Sequence, residues 1–155
     1  MNKLLLFIVL LGAFSACNTG EDVMFSEGIV VIGNDTVATY EAIKIVKADS
    51  IIWIYAYSHG KDSTNYQLSL HRKTKNLQWS EELLVVTDSI ACGTQLIWVY
   101  DLIEEESNIK LGAAYLSQQR GLLAVSNSDI ENTSYLEEAA EKSYRDCVFN
   151  FLSNQ

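Results

Sequence analysis

Short runs of β-branched and aromatic residues, separated by turn-forming residues, predict that this chain is built mainly of β-strands. The clearest run covers residues 51–58 and a second occurs at 66–72, so we expect a hairpin that turns near Asp62. Because alternate side chains of a strand point to opposite faces, one face of this hairpin should enter the core. The residues expected on that face are Ile52, Ile54, Leu68 and Leu70.

The opposite face of this hairpin combines aromatic and polar side chains. It carries Trp53, Tyr55 and Tyr57 on the first strand and His71 on the second. Aromatic rings that are exposed together form an apolar platform on which a sugar or a lipid can stack, so this face is a candidate ligand site. Strand aromatics also fill protein cores, and burial of Trp53 and Tyr55 under a helix or a second sheet would exclude the platform.

Further strand segments have the same pattern. The β-branched run 29–32 ends at the turn-forming residues 33–35, which predicts a hairpin into the next segment. Segment 36–48 has apolar residues at both helical and strand spacing, but its content of Ile, Val, Thr and Tyr favours a strand. Segment 95–103 is apolar on both faces, which predicts a central strand that is covered on both sides. The remaining strands are expected at 77–86, 109–117 and 122–126.

Two of these segments contain residues that disturb a regular sheet. Glu81 and Glu82 lie in the middle of 77–86 and indicate an edge strand or a bulge. Gly121 comes after a polar turn and can adopt a positive φ, as a bulged hairpin requires.

The last segment of the chain has a helical pattern. Ser134 and Glu137 have the spacing of a capping box, in which side chains at a helix start bond to free backbone N–H groups. Apolar residues then recur at steps of three and four, which places them on one helix face. We therefore predict an amphipathic helix over about 134–152 with a buried face of Leu136, Ala140, Tyr144, Cys147, Val148 and Phe151.

These elements predict an α+β fold. A helix with one apolar face needs a sheet to lie on, so we expect a mostly antiparallel sheet, either a sandwich or a small barrel, with the C-terminal helix packed against it. A lipocalin-like barrel with a terminal helix is the alternative shape.

The first sixteen residues have the organisation of an export signal. Lys3 supplies a positive charge, residues 4–11 form an unbroken apolar run, and residues 12–16 narrow to the small residues Ser15 and Ala16 before Cys17. The apolar run is shorter than the roughly 20 residues that cross a bilayer, which favours a cleaved signal peptide over a membrane span.

The residues Phe14-Ser15-Ala16-Cys17 resemble the lipobox of bacterial lipoproteins, with Phe14 at a position where leucine is usual. The resemblance implies cleavage before Cys17 and attachment of acyl chains such as palmitate there, so that the protein is anchored to a membrane. Asn18, where those lipoproteins carry an aspartate for inner-membrane retention, implies the outer membrane. The phrase around Glu27 to Val31 also resembles small β-rich envelope lipoproteins without an assigned activity. The alternative is an ordinary secreted protein with a plain thiol at Cys17.

Length and charge indicate how many domains follow the signal peptide and which kinds of partner they disfavour. We expect a lipidated, flexible tether at 17–26 and a single globular domain at 27–155. The chain is 48% hydrophobic and 20% charged, which is typical of a globular protein. Loss of Lys3 leaves 10 basic and 20 acidic residues, a formal charge of −10. Such a charge repels nucleic acid and anionic lipid head groups, so binding to nucleic acid is disfavoured.

Two cysteines, Cys92 and Cys147, remain for the exported domain. An oxidising compartment permits a disulfide between them, which would close a loop of about 55 residues and stabilise the fold by roughly 4 kcal/mol. Spacing alone does not bring two Cα atoms within bonding reach, so a pair of buried free thiols is the alternative.

The sequence predicts no catalytic residues, no cofactor and no metal site. It contains no motif for a nucleophile elbow, a zinc protease or a phosphate-binding loop. Four Asp-Ser or Asp-Thr pairs resemble the acceptor triplet for O-glycosylation in some bacteria, although the same pairs are favoured in turns before strands. The acceptor hydroxyls would belong to Thr36, Ser50, Ser63 and Ser89.

Three functional hypotheses are consistent with these observations. The first is a non-enzymatic, membrane-anchored envelope lipoprotein that binds a partner protein or takes part in assembly at the cell surface. The second is a small-ligand or glycan binder that uses the aromatic strand face. The third is an enzyme, for which a cleft that pairs His71 with a carboxylate would be the diagnostic feature.

Overall fold

The structure, a computed structural model, describes residues 22–32, 35–104, 107–127, 133–138 and 143–154. Within these ranges the chain forms eleven strands and one helix. The elements are β1 (Asp22–Ile32), β2 (Asp35–Val46), β3 (Ser50–His59), β4 (Asp62–His71), β5 (Leu77–Trp79), β6 (Glu82–Leu84), β7 (Val86–Cys92), β8 (Gln95–Glu104), β9 (Ile109–Ser117), β10 (Gly121–Asn127), β11 (Ser134–Glu138) and α1 (Ser143–Leu152).

The strands form one antiparallel sheet that curls into a nearly closed barrel. Their order is β6-β5-β4-β3-β2-β1-β11-β10-β9-β8-β7, so that β11 joins the first strand to the tenth. The two edge strands, β6 and β7, are consecutive in the chain and only Val85 separates them. Leu84 and Val86, on either side of that residue, both pack on the same core. The predicted α+β class, with a mostly antiparallel sheet in a small barrel and a terminal helix, is confirmed.

The barrel interior is packed with large side chains. Trp53, Tyr55 and Tyr100 are almost completely buried there, and aliphatic residues from β3 to β6 surround them. Toward one end, the rings of Tyr57 and Tyr66 stack with centroids 4.9 Å apart, and their hydroxyls share a hydrogen bond. Such stacking stabilises the interior beyond the area that it buries.

The face assignment predicted for the β3–β4 hairpin is confirmed for Leu68 and Leu70 of β4, which are buried, but is wrong for β3. The two-residue turn of the hairpin pairs His59 with Asp62, and this register aligns Trp53 with Leu68. The buried side chains of β3 are therefore Ile51, Trp53 and Tyr55, whereas Ile52 and Ile54 point outward and are half-buried. A register shift of one residue exchanges the two faces of a strand, and the sequence does not fix the turn length.

A second apolar cluster lies outside the barrel, between α1 and strands β7 to β10. Val148 is completely buried there, and the ring of Phe151 meets the edge of Tyr115 with centroids 6.4 Å apart. Because β8 supplies Trp98 and Tyr100 to the interior and Ile97 and Val99 to this outer cluster, it is covered on both faces, as the sequence predicts. The described residues contain no helix with the length and apolar content that a bilayer span requires.

Two predicted boundaries need correction. The capping pattern predicts a helix from Ser134, but Ser134–Glu138 is strand β11, which pairs with both β1 and β10, and α1 begins at Ser143. Sheet pairing on two sides outweighs the local capping pattern. The predicted tether extends to residue 26, but β1 begins at Asp22 because its ladder with β2 continues to that point.

The segment 77–86 is two short strands rather than one. Ser80 adopts a positive φ of 54° and turns the chain between β5 and β6. The bulged hairpin expected at Gly121 is present, with a φ of 85° and a register shift between Leu122 and Ala124.

Candidate functional site

The two ends of the barrel differ in charge. One end is formed by loops 47–49, 72–76, 93–94 and 118–120, where β1 also begins, and we call it the basic end. These loops carry Lys47, Arg72, Lys73, Lys75 and Arg120 against a single acidic residue, Asp49.

The opposite end, which we call the far end, carries mainly acidic residues. Its strands begin or finish with Asp35, Asp62 and Glu104, and Lys61 lies in the turn between β3 and β4. In a chain with a formal charge of −9, the concentration of cations at one end stands out.

A pocket of about 410 Å³ opens at the basic end, and we call it the mouth. Its wall is apolar where it is formed by Val46, Ile51, Leu96 and Trp98. The rest is polar and is formed by Lys44, Arg72, Thr94, Gln95, Ser117, Gln118 and Gln119. None of the described residues that line the mouth is acidic.

Lys44 lies inside the mouth. It continues the inward-facing side of β2 that carries Tyr40 and Ala42, and its Nζ donates hydrogen bonds to the carbonyl oxygens of Gln118, at 3.1 Å, and Gln119, at 2.7 Å. The ammonium group also lies 5.8 Å from the ring centroid of Trp53, within the range of a cation–π contact. Burial lowers the pKa of Lys44 below its usual value, and the positive charge of Arg120 lowers this pKa further.

A chain of hydrogen bonds organises the part of the mouth that is formed by Gln95, Ser117 and loop 118–120. Gln95 Nε2 donates to Gln119 Oε1 at 2.5 Å, and Ser117 Oγ donates to Gln95 Oε1 at 3.2 Å. Ser117 is buried and its Oγ also accepts from the backbone N–H groups of Gln119 and Arg120. The amide side chains are thus held in place before any ligand arrives, which lowers the entropy lost on binding.

The rim loops of the basic end are joined to one another. Arg72 donates from its backbone N–H to the carbonyl of Asp49 at 2.8 Å, and its Nη1 donates to the carbonyls of Lys47 and Ala48, both at 3.3 Å. These carbonyl oxygens hold the guanidinium without neutralising it. Among the described residues, neither Arg72 nor Lys44 has a carboxylate within ion-pair distance.

Two aromatic residues support the same rim from inside. The hydroxyl of Tyr100 donates to the carbonyl of Lys75 at 2.7 Å, and the ammonium of Lys75 lies 4.8 Å from the ring centroid of Trp98. Burial raises the pKa of Tyr100, so this hydroxyl keeps its proton and remains a donor.

The floor beneath the mouth is tightly packed. A Cβ atom at Gly121 would lie 2.3 Å from Tyr55 Oη and 2.8 Å from Trp53 Nε1, so only glycine allows the loop to approach these rings. Tyr55 Oη accepts a hydrogen bond from the backbone N–H of Leu122 at 2.8 Å. The Trp53 indole N–H is buried and has no acceptor among the described residues.

The chemistry of the mouth favours an anionic group. Lys44 and Arg72 supply positive charge, and the glutamine amides and the hydroxyl of Thr94 supply neutral hydrogen-bond donors. A phosphate or carboxylate can accept several of these bonds at once, and bonds to an ionised acceptor are the stronger ones.

The aromatic platform expected on β3 is not a surface. Trp53 and Tyr55 are each 1% exposed inside the barrel, and Tyr57 lies near the far end against Tyr66. His71 lies on the outer side of β4 and does not meet these rings. The predicted ligand face of Trp53, Tyr55, Tyr57 and His71 is therefore wrong.

His71 organises a turn. Its Nδ1 accepts a hydrogen bond from the backbone N–H of Thr74 at 3.2 Å, and Thr74 Oγ1 lies 3.0 Å away. These contacts shape loop 72–76, and the described partners of His71 include no carboxylate.

Cys92 and Cys147 are joined by a disulfide, with their Cα atoms 5.9 Å apart. The bridge fastens the middle of α1 to the last residue of β7, beside the basic end.

The other predicted modification sites remain predictions. Thr36, Ser63 and Ser89 are exposed and Ser50 is half-exposed, and each lies within a strand. Cys17 and the signal peptide lie outside the described residues.

Sequence reasoning missed the mouth because three separate loops and four strands supply its residues. One indication was available at Lys44, which interrupts the apolar pair Ile43 and Ile45 and shares an alternation with Tyr40 and Ala42. An inward-facing lysine on a strand with buried neighbours is unusual, since lysine is rarely buried.

Comparison with known proteins gives no guide to this site. No family model, no curated protein and no solved structure matches the chain.

Proposed function

We propose that this protein is an exported, lipid-anchored binding module of the bacterial cell envelope, and that its mouth binds an anionic group such as a phosphate or a carboxylate. Cys17 carries the lipid anchor, and the outer membrane is the expected location. The barrel presents the mouth as a rigid recognition site and performs no chemistry on the ligand. This proposal keeps binding as the function but moves it from the strand aromatics to the basic end.

One observation carries the binding proposal. Lys44 points into a pocket that also contains Arg72 and has no acidic residue among its described lining. Burial disfavours the charged form of Lys44 and lowers its pKa, and an anion bound beside it would offset that cost.

The test is a titration of the processed protein, purified in a maltoside detergent, with glucose 1-phosphate, monitored by tryptophan fluorescence. Trp98 lines the mouth, so we expect a saturable change in emission, and the neutral sugar glucose should produce none. Lys44→Met should weaken the affinity for glucose 1-phosphate at least about tenfold, because a hydrogen bond to a charged group contributes about 1.5–3 kcal/mol.

Lys61→Met is the matched control, since it removes the same charge from the far end. It should leave the affinity unchanged. Equal weakening by both variants would mean that the response reflects overall charge, and equal responses to glucose and its phosphate would overturn anion binding.

The anchor is tested separately. Metabolic labelling with radioactive palmitate should mark the wild-type protein and leave Cys17→Ser unlabelled. An unlabelled wild-type chain, or one whose N-terminus is intact at Met1, would exclude the lipid anchor without affecting the mouth.

A further inference from the structure

Only a short segment of chain separates Cys17, the proposed lipid anchor, from the basic end of the barrel. Strand β1 begins at Asp22, which pairs with Val46 directly before loop 47–49 of the basic end. Four residues separate Cys17 from Asp22, and an extended chain covers at most about 3.6 Å per residue, so the two positions lie within about 18 Å. Strand β3, with ten residues, is longer than this at about 33 Å.

We propose that the basic end is a docking surface for an anionic phospholipid bilayer. The inference rests on the proposed anchor at Cys17, and it names the anionic group as the phosphate of a lipid head group. Because the tether is shorter than the barrel, the basic end is the part of the described domain that the anchor holds closest to the bilayer.

Charge complementarity favours this partner. Loops 47–49, 72–76 and 118–120 carry Lys47, Arg72, Lys73, Lys75 and Arg120 at one end of an acidic protein. The described acidic residues beside these loops include Asp22, which pairs with Val46, Asp49 in loop 47–49, and Asp146, next to Cys147 of the disulfide; all three are exposed. Clusters of basic residues next to a lipid anchor bind anionic membranes, and the anchor supplies the second attachment that makes such binding stable.

The two ends would then have opposite relations to the membrane. Asp35, Asp62 and Glu104 at the far end are repelled by anionic head groups, so charge at both ends favours one orientation. In that orientation the mouth opens toward the lipid phosphates, and Lys44 and Arg72 meet them directly.

The experiment measures the distance of each end from the bilayer. A fluorophore is attached to the lipidated protein at Ala48→Cys, in loop 47–49, or at Ser58→Cys, near the far end; both positions are accessible at the surface. The protein is reconstituted into vesicles of phosphatidylcholine alone or mixed with phosphatidylglycerol, with a nitroxide quencher on the lipid head groups. We expect quenching at position 48 to increase severalfold when phosphatidylglycerol is present and to fall again at high salt, while position 58 stays unquenched.

Lys73→Glu reverses an exposed charge at the basic end and should suppress this increase, whereas Lys61→Glu makes the same change of net charge at the far end and should not. The thermal transition of each variant, measured in parallel, shows that the barrel is folded. Quenching at position 48 that does not depend on phosphatidylglycerol, or equal quenching at both positions, would overturn the proposal of a docking surface. A protein that labels with palmitate and binds glucose 1-phosphate but shows this result would keep its proposed function and lose only the orientation.

Discussion

The basic end and the far end of the barrel are built from the same hairpins but are stabilised differently. At the far end, aromatic rings fill the interior, and the hydroxyls of Tyr57 and Tyr66 satisfy each other. At the basic end, the interior opens into the mouth, where Lys44 and a chain of amide and hydroxyl groups replace the rings. One end is a packed core and the other is a polar site whose loops are held by hydrogen bonds to backbone carbonyls.

The difference indicates that one part of the sheet stabilises the fold and another part is available for binding; we call this the division between the two ends. Close-packed apolar side chains supply most of the free energy of folding, so the far end and the middle of the barrel stabilise the fold. Polar groups held at the basic end contribute less to stability and are available for binding. Changes at the two ends should therefore affect stability and binding separately. The expected effect on the free energy of unfolding is largest for removal of the disulfide and smallest for removal of a single charge.

Removal of the disulfide should have the largest effect on stability. Cys147→Ser opens a link between residues 55 positions apart, and the chain-entropy model gives a loss of about 4 kcal/mol in the free energy of unfolding. Urea denaturation measures this loss. Hydrogen exchange should accelerate first in β7 and α1, beside the basic end, because Cys92 is the last residue of β7. Equal acceleration in the far halves of β3 and β4 would contradict the division.

Alanine at two glycines should separate close packing from backbone strain. Gly121→Ala should lower the free energy of unfolding by about 3 kcal/mol, because the new Cβ would meet Tyr55 Oη at 2.3 Å. Gly60→Ala, in the far-end turn, has a similarly positive φ but nothing within 4 Å, so strain alone should cost about 1 kcal/mol. Thermal unfolding of both variants makes the comparison, and equal losses would show that the contact at Gly121 relaxes freely.

High pH should destabilise the protein through its buried tyrosines. Burial raises the pKa of Tyr57 and Tyr66 far above the unfolded value of about 10. Their neutral forms are retained in the folded state, so this stability is fully present below pH 10 and is lost as the pH rises above it. Tyrosinate absorbance should therefore appear together with unfolding.

A variant tests the contribution of the far end to this behaviour. Tyr66→Phe should reduce the alkaline loss of stability and, at neutral pH, cost about 1 kcal/mol because the hydroxyl of Tyr57 loses its partner. If Tyr57 and Tyr66 ionise near pH 10 while the protein stays folded, their hydroxyls are not buried in a packed far end.

Lys44→Met should produce the smallest change in stability. Because the folded pKa of Lys44 is lowered, the unfolded chain binds more protons at this residue between the folded pKa and the usual value of about 10.5. The stability of the wild type relative to Lys44→Met should therefore increase as the pH rises through that window. Paired urea titrations at successive pH values measure the difference in the free energy of unfolding. A wild type that becomes less stable relative to the variant as the pH rises would contradict the burial of this charge.

The sequence predicted the class of the fold because strand content is a local property. The β-branched and aromatic run that begins at Ile51 favours a strand, and the two apolar faces of β8 are typical of a central strand. Register is not local: a two-residue turn after His59 exchanged the expected faces of β3 and turned a predicted platform into core.

The C-terminal region and the mouth show the same limit. Ser134 and Glu137 satisfy a local helix-start rule, yet pairing with β1 and β10 makes this segment a strand. The mouth depends on loops that only barrel closure brings together, so no local pattern could have assembled Lys44, Arg72 and Gln95 into one site.

The most direct test of the division between the two ends is to map an anion onto the protein by nuclear magnetic resonance. Inorganic phosphate is titrated into isotope-labelled, processed protein in maltoside detergent, and the side-chain amide signals of Gln95, Gln118 and Gln119 and the indole signal of Trp98 are monitored. We predict saturable shifts of these signals, with the backbone signals of Tyr57 and Tyr66 unchanged. Shifts spread evenly over both ends, or confined to the far end, would contradict the account.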